Sequence, residues 1–218
     1  MGKIIAFSGV DGSGKTTAAK LLVKRLRSYG VKAIYRHEFD YFLLGWIKEV
    51  IIKSIGDQKR NSLSDYIDVH LEKGTPLQKI IYFLGWIDHF VSQLYFRLKK
   101  GVIVHDRWHY DHIAHIEYKP RKNAFLKKLY SISPRADVII LLDVSPQVSY
   151  QRRKNDSNHP RWARDLRHYE AQTSLMLNIA KAFNYDKLVN SSKPPHEVVS
   201  DVICFLKEFQ PEIMRRTD

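Results

Sequence analysis

The residues best suited to chemistry stand near the start of the chain. Gly9-Val10-Asp11-Gly12-Ser13-Gly14-Lys15-Thr16 fits the pattern G-x-x-x-x-G-K-[ST], whose physics is that of phosphate binding. Glycines at 9, 12 and 14 let the backbone curl until successive N–H groups point inward at a phosphate. A helix beginning near Lys15 adds its positive N-terminal end. Lys15 supplies a point charge for the β- and γ-phosphates of a nucleoside triphosphate, and the Thr16 hydroxyl is a ligand for Mg²⁺. A glycine turn alone would explain the glycines, but neither the lysine nor the threonine. The candidate nucleotide-binding residues are therefore Gly9, Asp11, Gly12, Ser13, Gly14, Lys15, Thr16 and Thr17, with ATP the expected donor.

Two further motifs carry charge. Asp106-Arg107-Trp108 follows the apolar run Val102–His105. A carboxylate at the carboxyl end of a parallel strand points into the crevice where ligands bind. There Asp106 could hold Mg²⁺ or its waters, and Arg107 could clamp a phosphate through two hydrogen bonds. The plainer alternative is a helix-capping aspartate beside a surface arginine. The third motif is basic: Arg152, Arg153 and Lys154, then a polar stretch ending at Pro160, then Arg161 and Arg164. An arginine-bearing flap that closes over a site excludes water and neutralises transition-state charge, so a lid is expected near 152–164, with Arg152 and Arg161 as catalytic candidates. A solvated basic loop is the alternative.

These motifs need elements to position them. Short apolar runs at Ile4–Phe7, Val31–Tyr35, Val102–His105, Val138–Leu142 and Lys187–Val189 read as strands covered on both faces, as in a parallel sheet. Amphipathic stretches over Lys15–Ser28, Phe42–Ile55, Leu77–Lys99, Phe125–Ser131, Gln147–Lys154, Asp165–Asn184 and His196–Phe209 read as helices, and Gly56–Pro76 as a loop insertion. The alternation predicts one α/β domain over residues 1–218: a five-stranded parallel sheet with helices on both faces. The Leu77–Lys99 helix is apolar on two sides. Ile80, Leu84, Ile87, Val91, Leu94 and Leu98 form one stripe, which Ile81, Phe83, Trp86 and Phe90 widen. Core packing explains one stripe; the other suits a dimer contact or a pocket wall.

Composition narrows the class. An apolar share of 44% and a charged share of 27% exclude collagen-like, coiled-coil and disordered chains. The single cysteine, Cys204, excludes an intrachain disulfide and a cysteine zinc site. With the first apolar run too short for a signal peptide or a membrane span, a cytoplasmic setting is expected, with no membrane partner. Thirty-six Lys and Arg against 23 Asp and Glu give a net charge of +13, which points to anionic partners without choosing among them.

Taken in order, the three motifs resemble the thymidylate kinase family of nucleoside monophosphate kinases, over nearly the whole chain. Lys3–Thr17 is similar to that family's strand and phosphate loop, with Asp11 as the loop's acidic residue. Asp106-Arg107-Trp108 is similar to its D-R-Y motif, with tryptophan in place of tyrosine. Leu142-Asp143-Val144-Ser145-Pro146 followed by Arg152 resembles the segment leading into the lid, and Val189–Ser192 the adenine-contacting loop, which places Ser192 beside the nucleotide. The resemblance implies transfer of the γ-phosphoryl of ATP to a nucleoside monophosphate, foremost dTMP to dTDP, with Mg²⁺. It also implies a homodimer, an acceptor sugar oriented by Asp11, and a lid arginine in place of a basic residue inside the phosphate loop.

The departures from the family lie on the acceptor side. The stretch Phe83–Asp88 lacks the third-helix arginine that holds the acceptor, and Arg36-His37-Glu38 lacks the family's proline. Two alternatives follow. One is a phosphotransferase for another nucleotide, a nucleoside or a small alcohol. The other is a nucleotide-binding module without kinase activity, salt-sensitive on nucleic acid, which ranks last. His105, His109, His112 and His115 cluster among Asp106 and Asp111. A metal site is one reading; a pocket wall or exposed imidazoles near the phosphates is the plainer one.

Overall fold

The computed structural model describes residues 1–37, 76–118, 124–155 and 165–215 of the 218. Its centre is a five-stranded sheet in the order β2-β3-β1-β4-β5, with every neighbouring pair parallel. The strands are β1 (Lys3–Ser8), β2 (Ala33–His37), β3 (Val102–Asp106), β4 (Val138–Asp143) and β5 (Lys187–Asn190). Around them lie α1 (Lys15–Ser28), α2 (Pro76–Leu98), α3 (His109–Tyr118), α4 (Ala124–Ser131), α5 (Pro146–Lys154), α6 (Leu166–Ala182) and α7 (Pro195–Phe209), with a 3₁₀ turn at Pro211–Met214. The expected helix over Phe42–Ile55, the loop up to Thr75 and the core of the expected lid fall outside the described residues.

Alternation within each strand splits the core in two. Ile5, Phe7, Val104, Ile140 and Leu142 face α1 and α7, while Ile4, Ala6, Ile139 and Leu141 face α3, α4 and α6. Burial on both faces is what a parallel sheet requires, and it explains strands without polar alternation. β1 lies between β3 and β4, so its carboxyl end opens where the strand order reverses direction, the place where such sheets bind ligands.

Two expectations shift. β2 begins at Ala33 rather than Val31, because the Val31 amide closes the end of α1 by donating to the Leu26 carbonyl at 3.0 Å. The face of α2 turned to the protein is also not the long apolar stripe. Asp88, Ser92, Gln93 and Phe96 are buried, while Leu84, Leu94 and Leu98 are exposed, Leu98 at 83%.

Candidate active site

Gly9 leaves β1 with φ of +145°, and a side chain there would come within 2.8 Å of the Leu142 carbonyl oxygen. Gly12, at φ +83°, would meet the Ser149 carbonyl at 2.7 Å. Only glycine fits this bend, and it leads straight into α1, whose first residue is Lys15. Lys15 is buried. Its Nζ donates to the carbonyls of Gly9 and Val10, each at 2.7 Å. Burial, seconded by the charge of Arg107, pushes the lysine down to about 8, against the pull of Asp11, Asp111 and Asp106.

The parallel register brings Thr16 and Asp106 together, although they are 90 residues apart in sequence. The Thr16 hydroxyl donates to Asp106 Oδ2, and the Tyr35 hydroxyl donates to the same oxygen at 3.2 Å. His37 Nε2 lies 3.9 Å from it. Tyr35 and His37 were not among the sequence candidates. The signal for them is the β2–β3 register, which pairs His37 with Asp106. A hydroxyl and one carboxylate, both hard oxygen donors, suit Mg²⁺, which completes its shell with phosphate oxygens and water rather than with a protein cage. Among the described residues, no group of three or more His, Cys, Asp or Glu is placed to hold a metal ion.

Arg107 adopts φ +86°, a left-handed backbone that costs a side-chain-bearing residue energy. Its amide donates to the Phe7 carbonyl at 2.9 Å, and its guanidinium donates to Asp11 across the cleft. Burial would raise the Asp11 carboxyl. Arg107 outweighs it, with Lys15 and Arg153, and holds the group well below the usual carboxylate range. Arg152 bridges two carbonyls, Gly12 at 3.3 Å and Ser191 at 3.0 Å, tying the phosphate loop to the turn after β5. Arg153 packs beside Gly12. Ser192 is exposed in that turn, its amide donating to Asn190 Oδ1 at 2.9 Å, and Thr17 is exposed on α1. Arg161 and Arg164 lie outside the described residues.

Beyond Asp11 and Arg107 a cleft runs down α6, lined also by Asp111, His168 and Gln172. Asp111 is buried in the first turn of α3 and accepts a hydrogen bond from the Ser8 hydroxyl, which in turn lies 3.1 Å from the Tyr185 hydroxyl. Burial, reinforced by Asp111, raises Tyr185 well above the ordinary phenol. His105, His109 and His112 are not among the residues that line this cleft. His105 and His109 are buried, so of the two plainer alternatives exposed imidazoles do not hold for this pair. His109 packs 4.2 Å from His89 and 4.4 Å from Trp108, centroid to centroid. Its Nε2 sits 3.2 Å from the Pro134 carbonyl, and burial pushes it down to about 3. His109 is a neutral packing ring. His115 is on α3, but its side chain is not described. On α2, Phe83 is 40% exposed and stacks on Trp86 at 6.2 Å. The Arg36 guanidinium lies over the Phe96 ring at 5.1 Å.

Comparison with known proteins follows the same lines as this geometry. The thymidylate kinase family model matches residues 7–203. The chain belongs to the thymidylate kinase family. It is 26% identical over 208 residues to a probable thymidylate kinase of Pyrococcus abyssi, covering 94% of this chain and 96% of that one. It is also 26% identical over 211 residues to probable thymidylate kinase 1 of Saccharolobus solfataricus, covering 95% and 98%. Among solved structures, the thymidylate kinase of Ehrlichia chaffeensis aligns with a TM-score of 0.59 at 21% identity, over 94% of this chain and 98% of that one. The deoxyadenosine kinase of M. mycoides aligns with a TM-score of 0.56 at 15% identity, over 95% of this chain and all of that one. These two likenesses fix the fold: the five-stranded parallel sheet of this kinase family, with helices on both faces.

Proposed function

We propose that this chain transfers the γ-phosphoryl of ATP to a nucleoside monophosphate, dTMP to dTDP, with Mg²⁺. The observation that carries the reading is the meeting of Thr16 with Asp106 beside the glycine bend that presents Lys15. It joins a phosphate cradle to an oxygen-donor pair at the carboxyl ends of adjacent strands. Thr16 and Asp106 are the residues that would hold the metal, and Mg²⁺ when bound supplies charge against the phosphate oxygens.

The protein's own part is positioning and electrostatics. Lys15 leaves the Gly9 and Val10 carbonyls for the β- and γ-phosphates. Arg107, held by its left-handed backbone, faces the transferred group from the acceptor side. Asp11 takes the acceptor sugar once Arg107 has turned to phosphate. Arg152, with Arg161 beyond it, belongs to the lid near 152–164 within a single domain of residues 1–218, and Ser192 lies beside the adenine. No helix among the described residues is long and apolar enough to cross a membrane, which fits a cytoplasmic enzyme. The exposed apolar face of α2 (Leu84, Phe90, Leu94, Leu98) supports a homodimer; a monomer in sedimentation velocity at micromolar concentration would remove this part.

ADP release is the test, measured over a panel of nucleoside monophosphates with MgATP. The reading expects dTMP to give the highest kcat/KM. Silence on every member of the panel overturns it.

A further inference from the structure

Gln172 has had no role so far, yet it is placed as a recognition group. It is 8% exposed, on the buried face of α6 with Tyr169 and Met176. Its Nε2 meets no acceptor among the described residues. Buried amide donors are normally satisfied, because a dry one has lost its water and gained nothing. The cleft that Gln172 lines encloses about 30 Å³, enough for a hydroxyl or a water and too little for a ring. Asp111 lines the same cleft, its carboxylate fixed by the Ser8 hydroxyl. An amide N–H can only donate and an ionised carboxylate can only accept, whereas an alcohol does both. The two side chains therefore supply the two complements of one alcohol.

Resting on the phosphoryl-transfer reading, we propose that Gln172 is a specificity-determining residue, donating from Nε2 to the acceptor's sugar hydroxyl while Asp111 accepts a hydrogen bond from that hydroxyl. In dTMP the only sugar hydroxyl is the 3′ one. Gln172 and Asp111 thus add to Asp11, whose carboxylate Arg107 engages.

The experiment measures kcat/KM for dTMP and for 3′-deoxythymidine monophosphate in the wild type, Gln172→Leu and Gln172→Asn. The wild type should prefer dTMP. Gln172→Leu should lose roughly three- to ten-fold on dTMP, the scale of one neutral hydrogen bond, mostly through KM. It should lose nothing on the 3′-deoxy acceptor, so the ratio between them collapses. Gln172→Asn keeps the amide but shortens its reach, and should reduce the ratio as well; it stands in if the leucine variant does not fold. Equal loss on both acceptors means a structural role and overturns the proposal, as does a wild type indifferent to the hydroxyl. A wild type that phosphorylates neither acceptor overturns the enzymatic reading itself, and this proposal with it. Activity without hydroxyl preference overturns this proposal alone.

Discussion

The two ends of the cleft are made of different materials. At the proposed donor end, the groups offered to phosphate are main-chain amides, one lysine and a hydroxyl–carboxylate pair, nearly all within Gly9–Thr16 or at the tip of a neighbouring strand. At the proposed acceptor end, the walls include side chains from α3 and α6, Asp111, His168 and Gln172, with Ser8 of β1 holding Asp111 from behind. A backbone cradle recognises any polyphosphate tail, because every residue offers an N–H. A side-chain wall recognises one substrate, because its donors and acceptors are particular. Substitutions should therefore destroy turnover at the first end and redistribute preference at the second.

The largest effect expected is at Lys15. Lys15→Ala should lower kcat by roughly two to three orders of magnitude, the scale of one aimed electrostatic donor, and equally for every acceptor. A loss that differed between acceptors would blur the division between the two ends. The next effect is on stability. Burial holds Lys15 down to about 8 in the folded chain, below the 10.5 of an ordinary lysine. Between those values the unfolded chain binds more protons, so this group's contribution makes stability rise with pH over about 8 to 10.5 and penalises the fold below 8. Lys15→Met should remove the penalty. Thermal melts should show the variant above the wild type at pH 7, by a few degrees, with the gap closing toward pH 10.5. A variant that melts lower at pH 7 would show that the two carbonyl contacts outweigh the burial cost. The few-fold change in acceptor preference at Gln172 is the smallest of the three, and it isolates the second end.

What could be read from residues alone follows the same division. The phosphate loop is contiguous, so its chemistry and its place between β1 and α1 were written in one stretch. Asp106 was readable because it ends an apolar run. Tyr35 was not, because only the register of β2 against β3 brings its hydroxyl to Asp106. α2 misled because its polar residues turn inward: Gln93 lies 3.5 Å from His109 and Ser92 is buried, while its leucines face outward. Nothing local marks which face a neighbour will claim. Helix α3 was hidden by its composition, three polar or charged residues in the run His109–His112 with little apolar periodicity. Gln172 did leave a signal, a lone amide in the otherwise largely apolar stripe Tyr169, Met176, Ile179 and Ala180.

Position 107 binds two demands that no single residue meets. Its backbone geometry favours glycine, while the contact with Asp11 needs a guanidinium. Glycine there would relax the main chain and delete the charge, while lysine would keep a charge with the wrong shape. A change of acceptor preference is therefore to be sought in the surrounding walls rather than at this position.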